Sequence, residues 1–333
     1  MKQIINTIIR LSLVNQRTLF RPQIVLKPLR AGRDLTTMAA GTLRRPIHLI
    51  LDYDGTLTVK DTMAVLGNLP KQPRLTWKEI EEAYLKDYQS YKMDHFGWIH
   101  YNDKEYSEWL SRRKEVEQKS AKRVQDACFF RGVKQADVEQ SIIDSLHNGD
   151  LQFRSGWLDL FALFLADYDP ATGMSDGSKI SILNIICLYV NDMEIRANEI
   201  EGLASPNGSS GRVCRPLPSS DIRTSGDKLV HLNQMRSDQA TQPQHNNGSI
   251  IYVGDSSTDF ESLCAADLGI WLYDVDESEY KDTFVEVFKP LQMIPPVPIR
   301  EVTKVASRDE PTWTLLLAWD RDFYGVVKLF SDA

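Results

Sequence analysis

Two short apolar runs, each ending on an aspartate, limit what this chain can fold into more than anything else in it. Ile47 to Leu51, apolar except for His48, follows Pro46 and leads straight into Asp52, Tyr53, Asp54 and Gly55. Residues 249–255, SIIYVGD, repeat the pattern about two hundred positions later. Uninterrupted apolar runs of this length, lacking polar alternation, belong in the middle of a parallel sheet covered on both faces. Open sheets of that kind bind ligands beyond the C-terminal ends of their strands. Both runs therefore deliver a carboxylate to the same functional edge. The expected fold is α/β, a Rossmann-like three-layer core with a parallel sheet.

Residues 76–165 read as helical. Thr76 and Glu79 have the spacing of a capping box, and Trp77, Ile80, Tyr84, Tyr88 and Tyr91 recur at three- and four-residue steps. Tyr106, Trp109, Leu110 and Val116 mark a second helix, and Val138, Ile142 and Leu146 a third ahead of Gly149. An aromatic stripe of this kind normally packs a core. The reading is an α-helical cap over 61–149 inserted into a core made of 46–60 and 150–333. Within 194–218 the segment SPNGSSG, with Asn207-Gly208, is expected to turn a hairpin. The C-terminal PTWTLLLAWDRDFYGVV is expected as an edge strand or as a helix over the core.

An Asp-x-Asp pair on extended chain points both carboxylates one way, so Asp52 and Asp54 are expected to converge. Like charges that close raise each other's pKa unless a cation lies between them. Asp255 and Asp259 of GDSSTD add oxygens, and a hard Mg²⁺ needs only one or two protein carboxylates besides water and phosphate. A carboxylate so neutralised can attack phosphorus, while a neighbouring one exchanges protons with the leaving oxygen and with water. Gly55 and Thr56 would let backbone amides approach the phosphate as a small anion nest. Lys228, at the start of a predicted helix, would supply a fixed cation.

DYDGT with Thr58, then Lys228, then GDSSTD resemble the first, third and fourth motifs of the haloacid dehalogenase-like phosphatases. The order of elements, with a helical insert directly after the first motif, is similar to the phosphoserine-phosphatase-like branch. It is also similar to the phosphatase part of plant thiamin-phosphate hydrolases and to fungal members. The resemblance spans roughly residues 47–275. It implies Asp52 as nucleophile, Asp54 as acid/base and Lys228 as the motif lysine. It further implies Mg²⁺ held by Asp52, Asp54 and Asp255, with Asp259 a ligand or one step behind. Asp61 falls where phosphoserine phosphatases carry a glutamate that contacts the substrate ammonium.

The second motif departs from the pattern. Its Ser or Thr is replaced by Asn184 at the end of KISILN, whose amide is the phosphate-binding candidate there. Only ten residues then precede the strand-like IRANEI, fewer than a parallel crossover normally needs, so a locally irregular segment is expected. Two functional readings follow. One is a Mg²⁺-dependent phosphatase of a small phosphorylated metabolite working through an aspartyl-phosphate. The other is an impaired relative that binds phosphate or metal with poor turnover.

A net charge of −7 argues against nonspecific binding to nucleic acid or anionic membranes. The four cysteines are scattered without metal-ligand spacing, and read as reduced thiols. Residues 1–45 form a basic leader whose first 33 residues contain no acid, the composition of a mitochondrial presequence; an alternative start at Met38 would give a cytoplasmic product.

Overall fold

The computed structural model describes residues 47–70, 73–94, 102–166, 179–183, 194–214, 221–241, 248–276, 279, 284–285, 287–302 and 317–331. The basic leader, Asn184 and the ten-residue segment 184–193 lie outside the described residues.

A seven-stranded sheet forms the centre, in the order β3-β2-β1-β6-β7-β9-β8, and every pair in it is parallel. Its strands are β1 (Ile47–Leu51), β2 (Lys179–Leu183), β3 (Glu194–Arg196), β6 (Ser249–Gly254), β7 (Leu268–Leu272), β8 (Val297–Pro298) and β9 (Leu317–Asp320). β4 (Glu199–Ile200) and β5 (Val213–Cys214) make a separate antiparallel pair. From β1 the chain builds toward β2 and β3 on one side and, after β6, toward β7 on the other. The order reverses between β1 and β6, so their C-terminal ends flank the crevice where such sheets bind ligands. Strand periodicity divides the core: Leu49, Leu51, Ile251 and Val253 face one apolar cluster, while Ile50, Ile250 and Tyr252 face the other. Coverage on both faces is what the uninterrupted apolar runs required.

The insert after β1 is helical: α1 (Met63–Gly67), α2 (Trp77–Asp94), α3 (Asp103–Arg112), α4 (Lys114–Asp126) and α5 (Gln135–Asn148). The capping box at Thr76 and Glu79 forms, with N–H groups of both residues donating to the other's side chain at 2.7 and 3.2 Å. Gly149 ends α5 in the left-handed conformation. The helix expected around Tyr106 to Val116 is instead two, α3 and α4, meeting at Arg113. Much of the aromatic stripe packs internally, Trp77 against Phe129 and Tyr91 against Trp109. Chain entering and leaving the insert runs side by side: Thr58 bridges Phe153, Val59 N–H donates to Gln152 O at 2.9 Å, and Arg154 N–H to Leu57 O at 2.9 Å.

α6 (Trp157–Ala166), α7 (Ser225–Thr241), α8 (Phe260–Ala265) and α9 (Tyr324–Ser331) belong to the core. The C-terminal segment supplies both a strand and a helix, and β9 lies inside the sheet between β7 and β8, not at its edge. The expected hairpin forms: β4 and β5 pair, Glu201 N–H donates to Arg212 O at 3.0 Å, and Gly208 N–H donates to Ser205 O at 2.9 Å, which centres the tight turn on Pro206-Asn207, one residue before the expected Asn207-Gly208. Residues 201–212 also bond to the insert, with Gly132 N–H to Ser209 O and Ser209 N–H to Val133 O both at 2.8 Å. No helix among the described residues is long and apolar enough to cross a membrane.

Candidate active site

At the crevice, β1 and β6 are in register up to Leu51 beside Val253, and Asp52 N–H continues the ladder to Val253 O at 2.9 Å. This pairing sets Asp52 next to Asp255. Asp52, Asp255 and Asp259 each place an oxygen within 4.8 Å of the others. Lys228 enters from the first turn of α7, where Thr224 and Asp227 bond each other's backbone and start the helix. Its ammonium lies 2.8 Å from Asp52 Oδ1 and donates to Asp259 Oδ1 at 2.7 Å.

Two of these carboxylates have opposite surroundings. Asp259, fully buried, accepts from Lys228 and from the Tyr252 hydroxyl at 2.7 Å on Oδ1. On Oδ2 it takes the N–H of Asp255 and Ser256 and the Ser256 hydroxyl at 3.2–3.3 Å. Gly254 makes this possible, since a Cβ there would stand 2.4 Å from Asp259 Cγ. Asp52 is also buried; its Oδ1 takes the Lys228 ammonium at 2.8 Å, and its Oδ2 receives no hydrogen bond among the described residues. Burial pushes its pKa well up, the Asp259 charge adds to this, and Lys228 opposes. Burial alone would lower the Lys228 pKa, but Asp259 and Asp52 together raise it above the ordinary value. Asp255 is lifted to about 7, first by burial and then by Asp259, against the Thr56 hydroxyl that donates to its Oδ1 at 2.9 Å.

Asp54 stands apart from this cluster. The chain turns at Tyr53: the N–H groups of Thr56, Leu57 and Thr58 all converge on Tyr53 O, and Gly55 takes a φ of 76°. The period-two rule ends with the strand, and the Asp54 carboxylate turns to Thr62, accepting its N–H at 2.8 Å and hydroxyl at 2.6 Å. Burial, followed by the charge of Asp61, raises Asp54 to about 6. Asp61 itself is exposed and accepts Met63 N–H at the start of α1.

The amides expected to form an anion nest, those of Gly55 and Thr56, are bonded within the loop. Gly55 N–H donates to Thr58 Oγ1 and Thr56 N–H to Tyr53 O. Among the described residues no partner is found for the N–H groups of Tyr53 and Asp54. Gly55 has a different necessity: a Cβ on it would sit 2.3 Å from Asp255 Oδ2.

A divalent cation fits these residues. Asp259 has both oxygens saturated, whereas Asp52 receives no hydrogen bond on Oδ2 among the described residues and Asp255 places an oxygen within 4.8 Å of it in the same cluster. Three carboxylates against one ammonium leave an uncompensated negative charge that a hard cation would neutralise. Several contributors were not singled out from sequence. Tyr252 was hidden inside an apolar run, Thr62 lay beyond the motif, and Arg154, which binds the carbonyls of Gly55 and Thr56, came from a distant segment.

No protein-family model matches the sequence. A CTO1 family protein of Schizosaccharomyces pombe is 22% identical over 233 residues, covering 66% of this chain and 80% of the relative. A phospho-aspartyl intermediate analogue of phosphoserine phosphatase is similar over 68% of this chain and 85% of that one, at 12% identity and a TM-score of 0.35. A HAD family hydrolase from Salmonella enterica serovar Typhi is similar over 73% of this chain and 67% of that one, at 14% identity and a TM-score of 0.38.

Proposed function

We propose that this chain is a Mg²⁺-dependent phosphatase of the haloacid dehalogenase-like type, hydrolysing a small phosphomonoester through an aspartyl-phosphate. The observation that carries this reading is Asp52: a buried carboxylate at a strand end in the ligand crevice, beside Asp255, with Lys228 on its Oδ1 and no hydrogen bond on its Oδ2 among the described residues. Attack of that carboxylate on phosphorus breaks the bond to the ester oxygen, which takes a proton from Asp54 and leaves as the alcohol. Asp54 then accepts a proton from the water that attacks the acyl phosphate, releasing inorganic phosphate and restoring Asp52. A carboxyl with pKa about 6 suits both directions near neutral pH. Thr62 holds Asp54 Oδ1, which leaves Oδ2 to carry the proton. Lys228 and the N–H groups of Tyr53 and Asp54 would receive the phosphoryl oxygens. Mg²⁺, held by Asp52 and Asp255, would neutralise charge between carboxylate and phosphate. Substrate contact by Asp61 and by the Asn184 amide belongs to the same reading.

The test is phosphate release from a panel of small phosphomonoesters, with Mg²⁺ and with chelator, for the protein and for Asp52→Asn. Mg²⁺-dependent release that the substitution abolishes is the expected result. A second reading, an impaired relative, is favoured by one observation: β2 and β3 are parallel neighbours joined by only ten residues, 184–193. Folded protein that binds Mg²⁺ and phosphate but releases none from any panel member would favour it. Transfer of phosphate to a second hydroxyl, with no free phosphate, would instead indicate a phosphomutase.

A further inference from the structure

Arg154 is 6% exposed, and the bonds it makes are unusual for a buried cation. Its guanidinium donates to three backbone carbonyls: Nε to Thr56 O at 3.0 Å, Nη2 to Gly55 O, and Nη1 to Arg321 O at 2.7 Å. Burying a guanidinium against neutral carbonyls is costly, and burial indeed lowers its pKa. The negative potential of Asp274, Asp255 and Asp322 offsets part of that cost. A fold needing only packing here would be served by an apolar side chain.

The two carbonyls it holds are in the loop that carries Asp52 and Asp54. Donors inside the loop already fix one side, with N–H groups converging on Tyr53 O. On the other side the Gly55–Thr56 peptide follows a glycine at φ 76°, and glycine tolerates rotation that other residues resist. Rotation of that peptide would swing Thr56, whose hydroxyl holds Asp255 Oδ1 at 2.9 Å. Arg154 blocks it by gripping the oxygens at both ends of Thr56. It does so from the segment that leaves the helical insert, one residue past the Thr58–Phe153 bridge. We propose that Arg154 is a positioning residue that locks the 55–56 peptide, and through Thr56 the Asp52–Asp255 pair, in the reactive arrangement. The inference rests on the phosphatase reading for its kinetic consequence, although not for its structural one.

Arg154→Lys keeps the charge and can reach one carbonyl, whereas Arg154→Met keeps volume and reaches none. With p-nitrophenyl phosphate and Mg²⁺, kcat should fall about 100-fold in Arg154→Met and less in Arg154→Lys, with KM within about threefold of the parent in both. Hydrogen exchange should accelerate at 55–58, whose N–H groups are bonded within the loop, in the same order while β1 and β6 keep their protection. Native kcat and native exchange in folded Arg154→Met overturn the proposal. So does exchange that rises equally in β1 and β6, which would make Arg154 a general stabiliser. If the parent protein releases no phosphate, the phosphatase reading fails, and the exchange pattern alone decides whether Arg154 locks the loop.

Discussion

Asp52 and Asp259 lie within one cluster, beyond the ends of adjacent strands, and differ in how their oxygens are used. Asp259 receives the lysine, a phenol, two amides and a hydroxyl, five donors on the roughly four lone-pair sites of a carboxylate, so both oxygens are fully used. Asp52 receives the same lysine on Oδ1 and no hydrogen bond on Oδ2 among the described residues. Satisfied buried charges hold structure in place, and unsatisfied ones store free energy that a ligand can release. On the proposed phosphatase reading, Asp259 then belongs to the framework and Asp52 to the chemistry.

The strongest way to break it is to exchange the two losses. Asp52→Asn should lower phosphate release by about 10⁴-fold or more, the order expected for a nucleophile. Its urea midpoint without metal should stay unchanged or rise, because a destabilised buried charge is gone. Asp259→Asn should instead lose about 3 kcal/mol of stability, as breaking a buried hydrogen-bonded charge does, with activity falling as a consequence. If both variants lose stability equally and Asp52→Asn retains turnover, the division of roles is wrong.

Part of this division was legible in the sequence, and the reasons are local. An apolar run ending in Asp announces a buried strand and a carboxylate at its edge, so β1, β6, Asp52 and Asp255 could be read without coordinates. Lys228 was legible because a helix start lay between the two acidic motifs. Asp54 was misplaced by the same logic that placed Asp52: side-chain alternation holds only while the chain is extended, and here it turns at Tyr53. Tyr252 was concealed because a phenol in an apolar run looks like core until its hydroxyl is located. Arg154 reaches carbonyls 98, 99 and 167 positions away, and backbone acceptors leave no trace in side-chain patterns. Docking of loop 201–212 on the insert is likewise a matter of backbone bonds between distant segments.

Metal and pH sharpen the comparison at a smaller scale. Asp54 and Asp255 have pKa values raised to about 6 and about 7, so between pH 4 and 7 the metal-free folded state binds more protons than the unfolded chain. Their contribution is thus present at low pH and lost as pH rises through those values. A bound divalent cation favours the ionised forms and restores it. The thermal midpoint with Mg²⁺ should exceed that with chelator by a gap that widens from pH 5 to pH 7.5. Asp255→Asn should shrink the gap, while Tyr252→Phe should leave it in place. A gap independent of pH would mean that Asp255 is not a ligand.

Tyr252→Phe is the mildest probe and the most selective for the framework side. It deletes one hydroxyl from Asp259 Oδ1 and leaves the ring in the apolar cluster that surrounds it. Loss of a buried hydrogen bond to a charged acceptor costs about 1.5 kcal/mol. Asp259 retains Lys228 and its three Oδ2 donors, so Lys228 stays 2.8 Å from Asp52 and kcat should change by less than about threefold. A collapse of kcat at unchanged stability would show that the phenol tunes how Lys228 is shared between Asp259 and Asp52. Framework and chemistry would then be joined through one ammonium, and the contrast between the two aspartates would describe their hydrogen bonds without describing their roles.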